Sequence, residues 1–216
     1  MMIRKIASQM IFIFLFTLGT GSLYAQGISL GGRFGAVAGN VLFEYEETND
    51  LIKPMLGFQA GGVAAYRLGF NLSLQAELWY IQKGWTETPA GGARRFSYVE
   101  LPLFLTATAP WTIAPQLLLG ASVSRELSCR VTGVPGVGSL SCGDPRVKWN
   151  HAKTQFGIWG GLGVRRQFGA GYLAIQLLGN LNLTDLDREP LLRGYSRLLS
   201  FTVSATYIVQ LGGRTP

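Results

Sequence analysis

The sequence predicts an all-β fold, an eight-stranded antiparallel up-and-down transmembrane β-barrel, and three observations carry that prediction. Eight stretches alternate apolar and polar residues with a period of two, the links between them alternate short and long, and the alternating stretches are too poor in charge to meet water on either face. Composition agrees: of 216 residues, 48% are hydrophobic and only 14% charged, with 29 glycines. Mean hydropathy is +0.24. Such a chain is too apolar for disorder and falls short of the roughly 25% charged residues of an ordinary soluble domain. The formal charge of +7 favours acidic partners such as lipopolysaccharide, but no Lys/Arg run builds the stripe that nucleic acid needs, so nucleic acid is not expected as a partner.

Taken in order, the chain opens with an export leader. Arg4 and Lys5 precede the apolar run Met10 to Leu18, then Gly19-Thr20-Gly21-Ser22 and Leu23-Tyr24-Ala25. This is the charged, apolar and small-residue succession of a secretory signal. The run is shorter than the about 20 apolar residues of a spanning helix. Residues 1–25 are therefore read as a cleaved signal peptide and 26–216 as one barrel domain. No later apolar run reaches helix-spanning length, which excludes a bundle of membrane helices.

The first alternating stretch places Ile28, Leu30, Phe34 and Ala36 opposite Ser29, Arg33 and Gly35. In the second, Leu56, Phe58, Ala60 and Ala64 oppose Gly57, Gln59 and Gly61; in the third, Leu72, Leu74, Ala76, Leu78 and Tyr80 oppose Ser73, Gln75, Glu77 and Trp79. Val99, Leu101, Leu103 and Leu105 then face away from Tyr98, Glu100 and Thr106, and Leu117, Leu119, Ala121 and Val123 from Gln116, Gly120, Ser122 and Ser124. After a long insertion come Phe156, Ile158, Leu162 and Val164 against Gln155, Gly157, Gly161 and Arg165, and Leu173, Ile175, Leu177 and Leu181 against Gln176, Asn180 and Asn182. The last stretch sets Leu199, Phe201, Val203, Ala205 and Tyr207 against Ser200, Thr202, Ser204 and Thr206. Each is about ten residues long, the length of a tilted strand crossing a bilayer. Tight links at 67–71, 107–114 and 168–171 interleave with long polar ones at 40–54, 84–95, 128–151 and 184–194, as short periplasmic turns do with outer loops.

A soluble, lipocalin-like binding barrel is the alternative, with apolar residues inside and charge outside. Between Phe96 and Ser124 the only charged residue is Glu100. A water-facing strand pair so poor in charge would aggregate, so the polar face is assigned to the lumen and the apolar face to lipid. Eight strands leave a lumen just wide enough for side chains, which rules out a general porin.

Three stretches, GFQAGGVAAYRLGFNLSLQAELWYIQKG (57–84), YVELPLFL (98–105) and LLLGASVS (117–124), with a looser match over 157–186, are similar to the PorT-like small outer-membrane β-barrel proteins of Gram-negative envelopes. Resemblance to this family implies an outer-membrane location, passage through the barrel-insertion machinery, and either a surface ligand or a component of protein secretion as partner. Family members close with an aromatic residue, whereas here Tyr207 is followed by Ile208-Val209-Gln210-Leu211 and a polar tail.

Cys129 and Cys142 share the longest loop of an exported chain, where a disulfide is expected. His151 is the only histidine, so a lipid A-modifying enzyme, the less favoured alternative, would have one candidate base. With no paired nucleophile in view and no metal-ligand cluster, no catalytic residue, metal or cofactor is assigned. Arg33, Glu77, Lys83, Glu100, Glu126 and Arg165 are expected to point inward as a charge network that plugs the lumen, with Trp79 and Trp159 filling space around it. Tyr80, Trp85, Trp111 and Tyr207 are assigned to aromatic girdles at the two membrane interfaces. Arg130, Arg146, Lys148 and Trp149, in the long loop, are the candidate contacts for lipopolysaccharide, an anionic glycan or an acidic protein patch.

Overall fold

A strand with one apolar and one polar face can meet lipid on one side and a packed lumen on the other, but its backbone groups are all satisfied only if the sheet closes. In the computed structural model, which describes residues 27–43, 52–69, 71–87, 92–133, 138–147, 151–186 and 196–211, it does close. The strands are β1 (Ile28–Phe43), β2 (Ile52–Gly69), β3 (Leu72–Glu87), β4 (Gly92–Thr108), β5 (Ile113–Thr132), β6 (Ser139–Ser141), β7 (Thr154–Phe168), β8 (Gly171–Asn182) and β9 (Ser196–Gln210). With β6 set aside, successive strands pair antiparallel, β5 with β7 included, and β9 returns to β1 with a register running from Ser29↔Gln210 to Phe43↔Ser196. The result is a closed eight-stranded barrel, to which β6 adds a short hairpin at the far end of β5.

Tight turns join β2 to β3, β4 to β5 and β7 to β8 at one end, here the turn end. Gly69 and Asn71 both take positive φ there (101° and 65°), a conformation that glycine and asparagine adopt at least cost. The opposite, loop end holds the longer links. The eight barrel strands run from 12 residues in β8 to 20 in β5, longer than the sequence pattern suggests. Pairing continues beyond the apolar belt: residues 84–87 pair with 92–95, and 128–132 with 93–97, in segments read from the sequence as loops. This extension corrects the place of Trp85. Alternation carried on from Trp79, Ile81 and Lys83 turns it inward, where it is fully buried rather than part of a girdle.

Outward faces carry Phe34, Leu56, Leu103, Leu119, Leu162, Leu177 and Phe201, all exposed, with Leu103 at 49% and Leu56 at 76%. An apolar belt running around the whole barrel is a lipid-contact surface, which sets the lipocalin-like alternative aside. The lumen is more apolar than the pattern suggests, since Val37, Ile81, Phe96, Phe104, Leu118, Leu178 and Leu198 are buried inside beside the polar residues. In β4 and β5 both faces carry large apolar residues, and period two cannot then say which face is filled.

Candidate functional site

Midway along the lumen two ion pairs face one another across a cluster of aromatic rings. Arg33 of β1 donates to Glu77 of β3 at 2.7 Å and to the Ser204 hydroxyl at 3.1 Å. Glu77 also accepts from Gln75 and from the Trp79 indole. Lys83 of β3 donates to Glu100 of β4 at 2.9 Å and to Asn180 of β8 at 3.2 Å, while Ser122 and Trp159 donate to the other Glu100 oxygen at 2.6 and 2.8 Å. Between the pairs lie Trp79 and Trp159, edge to face at 5.1 Å, with Phe104 against both. Arg33 sits over the Trp79 ring and Lys83 over the Trp159 ring. Gly61 opposite makes room, because a Cβ there would fall 2.8 Å from the Trp79 ring. Each buried charge thus has an opposite charge and further hydrogen bonds, the condition under which a buried ion pair is tolerated.

Toward the loop end a second aromatic layer stacks Trp85 on Phe96 at 5.5 Å and Phe96 on Tyr98 at 6.0 Å. His151 packs edge-on to Phe96 and meets Glu126 at 2.5 Å through Nε2. Gln155 donates to the Tyr98 hydroxyl at 3.1 Å and accepts from Asn182. Above this layer the disulfide Cys129–Cys142 ties β5 to the turn after β6, and both cysteines are buried. Glu126, Arg130, Ser141, His151 and Lys153 border an open cleft of about 910 Å³ beside that hairpin.

Of the six charges assigned to a lumen network, four form the central plug, whereas Glu126 belongs to the loop-end layer with His151. Arg165 joins neither group. It lies at the turn end, its guanidinium 4.5 Å from the Tyr172 ring centroid. Among the loop contacts, Arg146 is engaged by Asp144, which accepts from Nε and Nη2 at 2.9 Å each. These contacts hold the Asp144 carboxyl down to about 2. Lys148 and Trp149 lie outside the described residues. Arg130 is exposed on the outer wall and stands directly opposite Arg95 of β4 in the strand register. Arg125 lies on the same wall of β5, and its guanidinium donates to Thr154 at 2.6 Å. Arg95 and Arg125 stand beside Arg94 and Glu126 in the sequence, where nothing links them to Arg130; only the register brings Arg95 to Arg130.

Residues 24–188 match the family described as "Outer membrane protein beta-barrel domain". No curated protein matches the sequence. Among solved structures, the chain is similar to Neisserial surface protein A, at 15% identity over 86% of this chain and 99% of that one, with a TM-score of 0.52. It is also similar to Ail, the attachment invasion locus protein of Yersinia pestis, at 14% identity over 85% and 99% of the two chains, with a TM-score of 0.47. The N-terminal β-barrel domain of Pseudomonas aeruginosa OprF follows at 11% identity over 81% and 96%, with a TM-score of 0.33. In such barrels the short turns face the periplasm and the longer loops the exterior, which orients the turn and loop ends found here. A closed eight-stranded barrel, an unbroken apolar belt and a family match over most of the sequence agree: the chain belongs to the outer membrane protein beta-barrel domain family and is a small outer-membrane β-barrel.

Proposed function

We propose that this barrel is a non-enzymatic, non-porin surface protein whose outer rim binds anionic groups of the envelope, with lipopolysaccharide phosphate as the first ligand. The observation that supports this reading is the opposed pair Arg95 and Arg130, both exposed, with no acidic partner among the described residues and Arg125 on the same wall. Like charges directly across a strand pair destabilise the sheet, so a surface that keeps them there is suited to an external anion. Arginine forks also match phosphate geometry with two donors each. Export through a signal peptide cleaved after Ala25, insertion by the barrel-insertion machinery and membership of the PorT-like group belong to the same proposal. The last rests on the residue patterns at 57–84 and 98–105.

The test is lipopolysaccharide retention by purified barrel, compared between the parent and an Arg95→Gln/Arg130→Gln variant. Retention should fall about tenfold in the variant, while the folded, heat-modifiable mobility on gels stays unchanged. Equal retention by the folded variant overturns the proposal. The non-enzyme part is tested separately, since a lipid A profile that changes with the protein and reverts in His151→Ala would defeat it.

A further inference from the structure

At the periplasmic mouth the charge balance differs from that of the rest of the barrel. Arg67, at the end of β2, and Arg165, in β7, both border a small recess of about 60 Å³ inside the mouth. Its inner side carries a layer of satisfied amides and hydroxyls: Gln176 donates to Gln116, Gln116 to Thr108 and Thr206 to Gln176, each at 3.2 Å. On its outer side the same two arginines, with Asn71 and Tyr172, border a wider cleft of about 680 Å³ that opens at the rim.

No aspartate or glutamate among the described residues lies at this end. Glu77 and Glu100 are held in the plug, and Glu87, Glu126, Asp144 and Asp185 belong to the loop end. Among the described residues, Arg67 and Arg165 are the charged side chains that border the recess. Arg165 is half-buried and rests against the Tyr172 ring. Two guanidinium groups thus border one narrow recess with no counter-charge among the described residues, an arrangement that lowers in energy when an anion enters.

The geometry points to a phosphate-binding site between Arg67 and Arg165, filled from the periplasmic side. Two arginines call for a dianionic or multiply accepting group, and a tetrahedral phosphate can meet both forks while leaving an oxygen for the Asn71 amide or the Ser73 hydroxyl, which border the recess. The recess admits one such group and not a chain, since its roof is closed by the glutamine layer. The phosphate could be carried by an inner-leaflet phospholipid or by a soluble periplasmic compound, and the chemistry is the same for both.

NMR of the isotope-labelled full barrel separates these sources. In maltoside micelles, which carry no phosphate, glycerol 3-phosphate should shift the Asn71 and Tyr172 amide resonances saturably. An Arg67→Gln/Arg165→Gln variant should bind it at least tenfold more weakly, and Arg197→Gln, at the opposite loop end, should leave binding unchanged. If the soluble probe gives no shift but phosphatidylglycerol nanodiscs shift the same resonances in an arginine-dependent way, the phosphate is that of the lipid. Absence of an arginine-dependent shift in both settings overturns the site, as does an equal shift with acetate at matched ionic strength. Should the double variant fail to fold, Arg67→Gln alone, at the exposed rim, carries the same expectation.

Discussion

Lys83 and Glu100 show at the scale of single residues what the plug costs and what it fixes. Both side chains are buried, so deleting either partner strands the other charge away from water. A Glu100→Leu variant should lose about 3–5 kcal/mol of folding free energy, measured by urea titration in lipid vesicles, whereas Lys83→Met/Glu100→Leu should recover most of that loss. A double variant as unstable as the single one would show that the aromatic layer, not the ion pair, carries the penalty. At the surface, Asp144 allows a sharper measurement. Its carboxyl, held to about 2 by hydrogen bonds from the Arg146 side chain and backbone, lies below the about 3.9 expected of an unfolded chain. A depressed folded value means that the contact contributes fully above the unfolded value and is lost as pH falls through about 2. Carbon-detected NMR should find Asp144 titrating there, and Arg146→Ala, which keeps the backbone hydrogen bond, should raise it part of the way toward the ordinary carboxylate range. An Asp144 that titrates near 4 in the parent protein would remove the contact.

At the scale of elements, the alternation was legible because each strand meets two different media. Leu101, Leu103 and Leu105 are all exposed on β4 while Glu100, Phe104 and Thr106 are buried, and a charge at Leu103 therefore enters the belt. Leu103→Lys should cost about 2–4 kcal/mol of insertion free energy if this position is near the bilayer midplane, read by folding into vesicles. Unimpaired folding would contradict the facing. Strand ends were not legible, since beyond the belt neither face meets lipid and the hydropathy signal stops while hydrogen bonding goes on. Trp85 was misplaced for that reason, and so were the lengths of β3, β4 and β5. The long loop was legible only in its cysteines. Their bond closes about a dozen residues, so Cys129→Ser/Cys142→Ser should lose up to about 3 kcal/mol of local constraint. Faster proteolysis between them is the expected result, with the heat-modifiable mobility of the barrel unchanged; loss of that mobility would mean that the staple supports the whole barrel.

For the whole molecule, the sequence limits the strand number and hence the bore, but not what fills it. Period two assigns Glu77, Trp79, Glu100 and Trp159 to one face each, yet says nothing of whether they meet, because the partners lie on β1, β3, β4, β5, β7, β8 and β9 and only closure brings them together. The filled lumen has a functional consequence. An ion travelling along the axis meets the Gln116–Gln176 layer, then Arg33–Glu77 and Lys83–Glu100 around the Trp79, Trp159 and Phe104 rings, then the Trp85, Phe96 and Tyr98 stack. Removing one ring leaves the two ion pairs and both flanking layers in place. Purified barrel in planar bilayers should therefore show no stepwise conductance, and Trp159→Ala should remain silent as well. Reproducible unitary steps from the parent protein would mean that the plug opens, and the molecule would have to be reconsidered as a channel rather than a rigid scaffold for its two arginine-bearing rims.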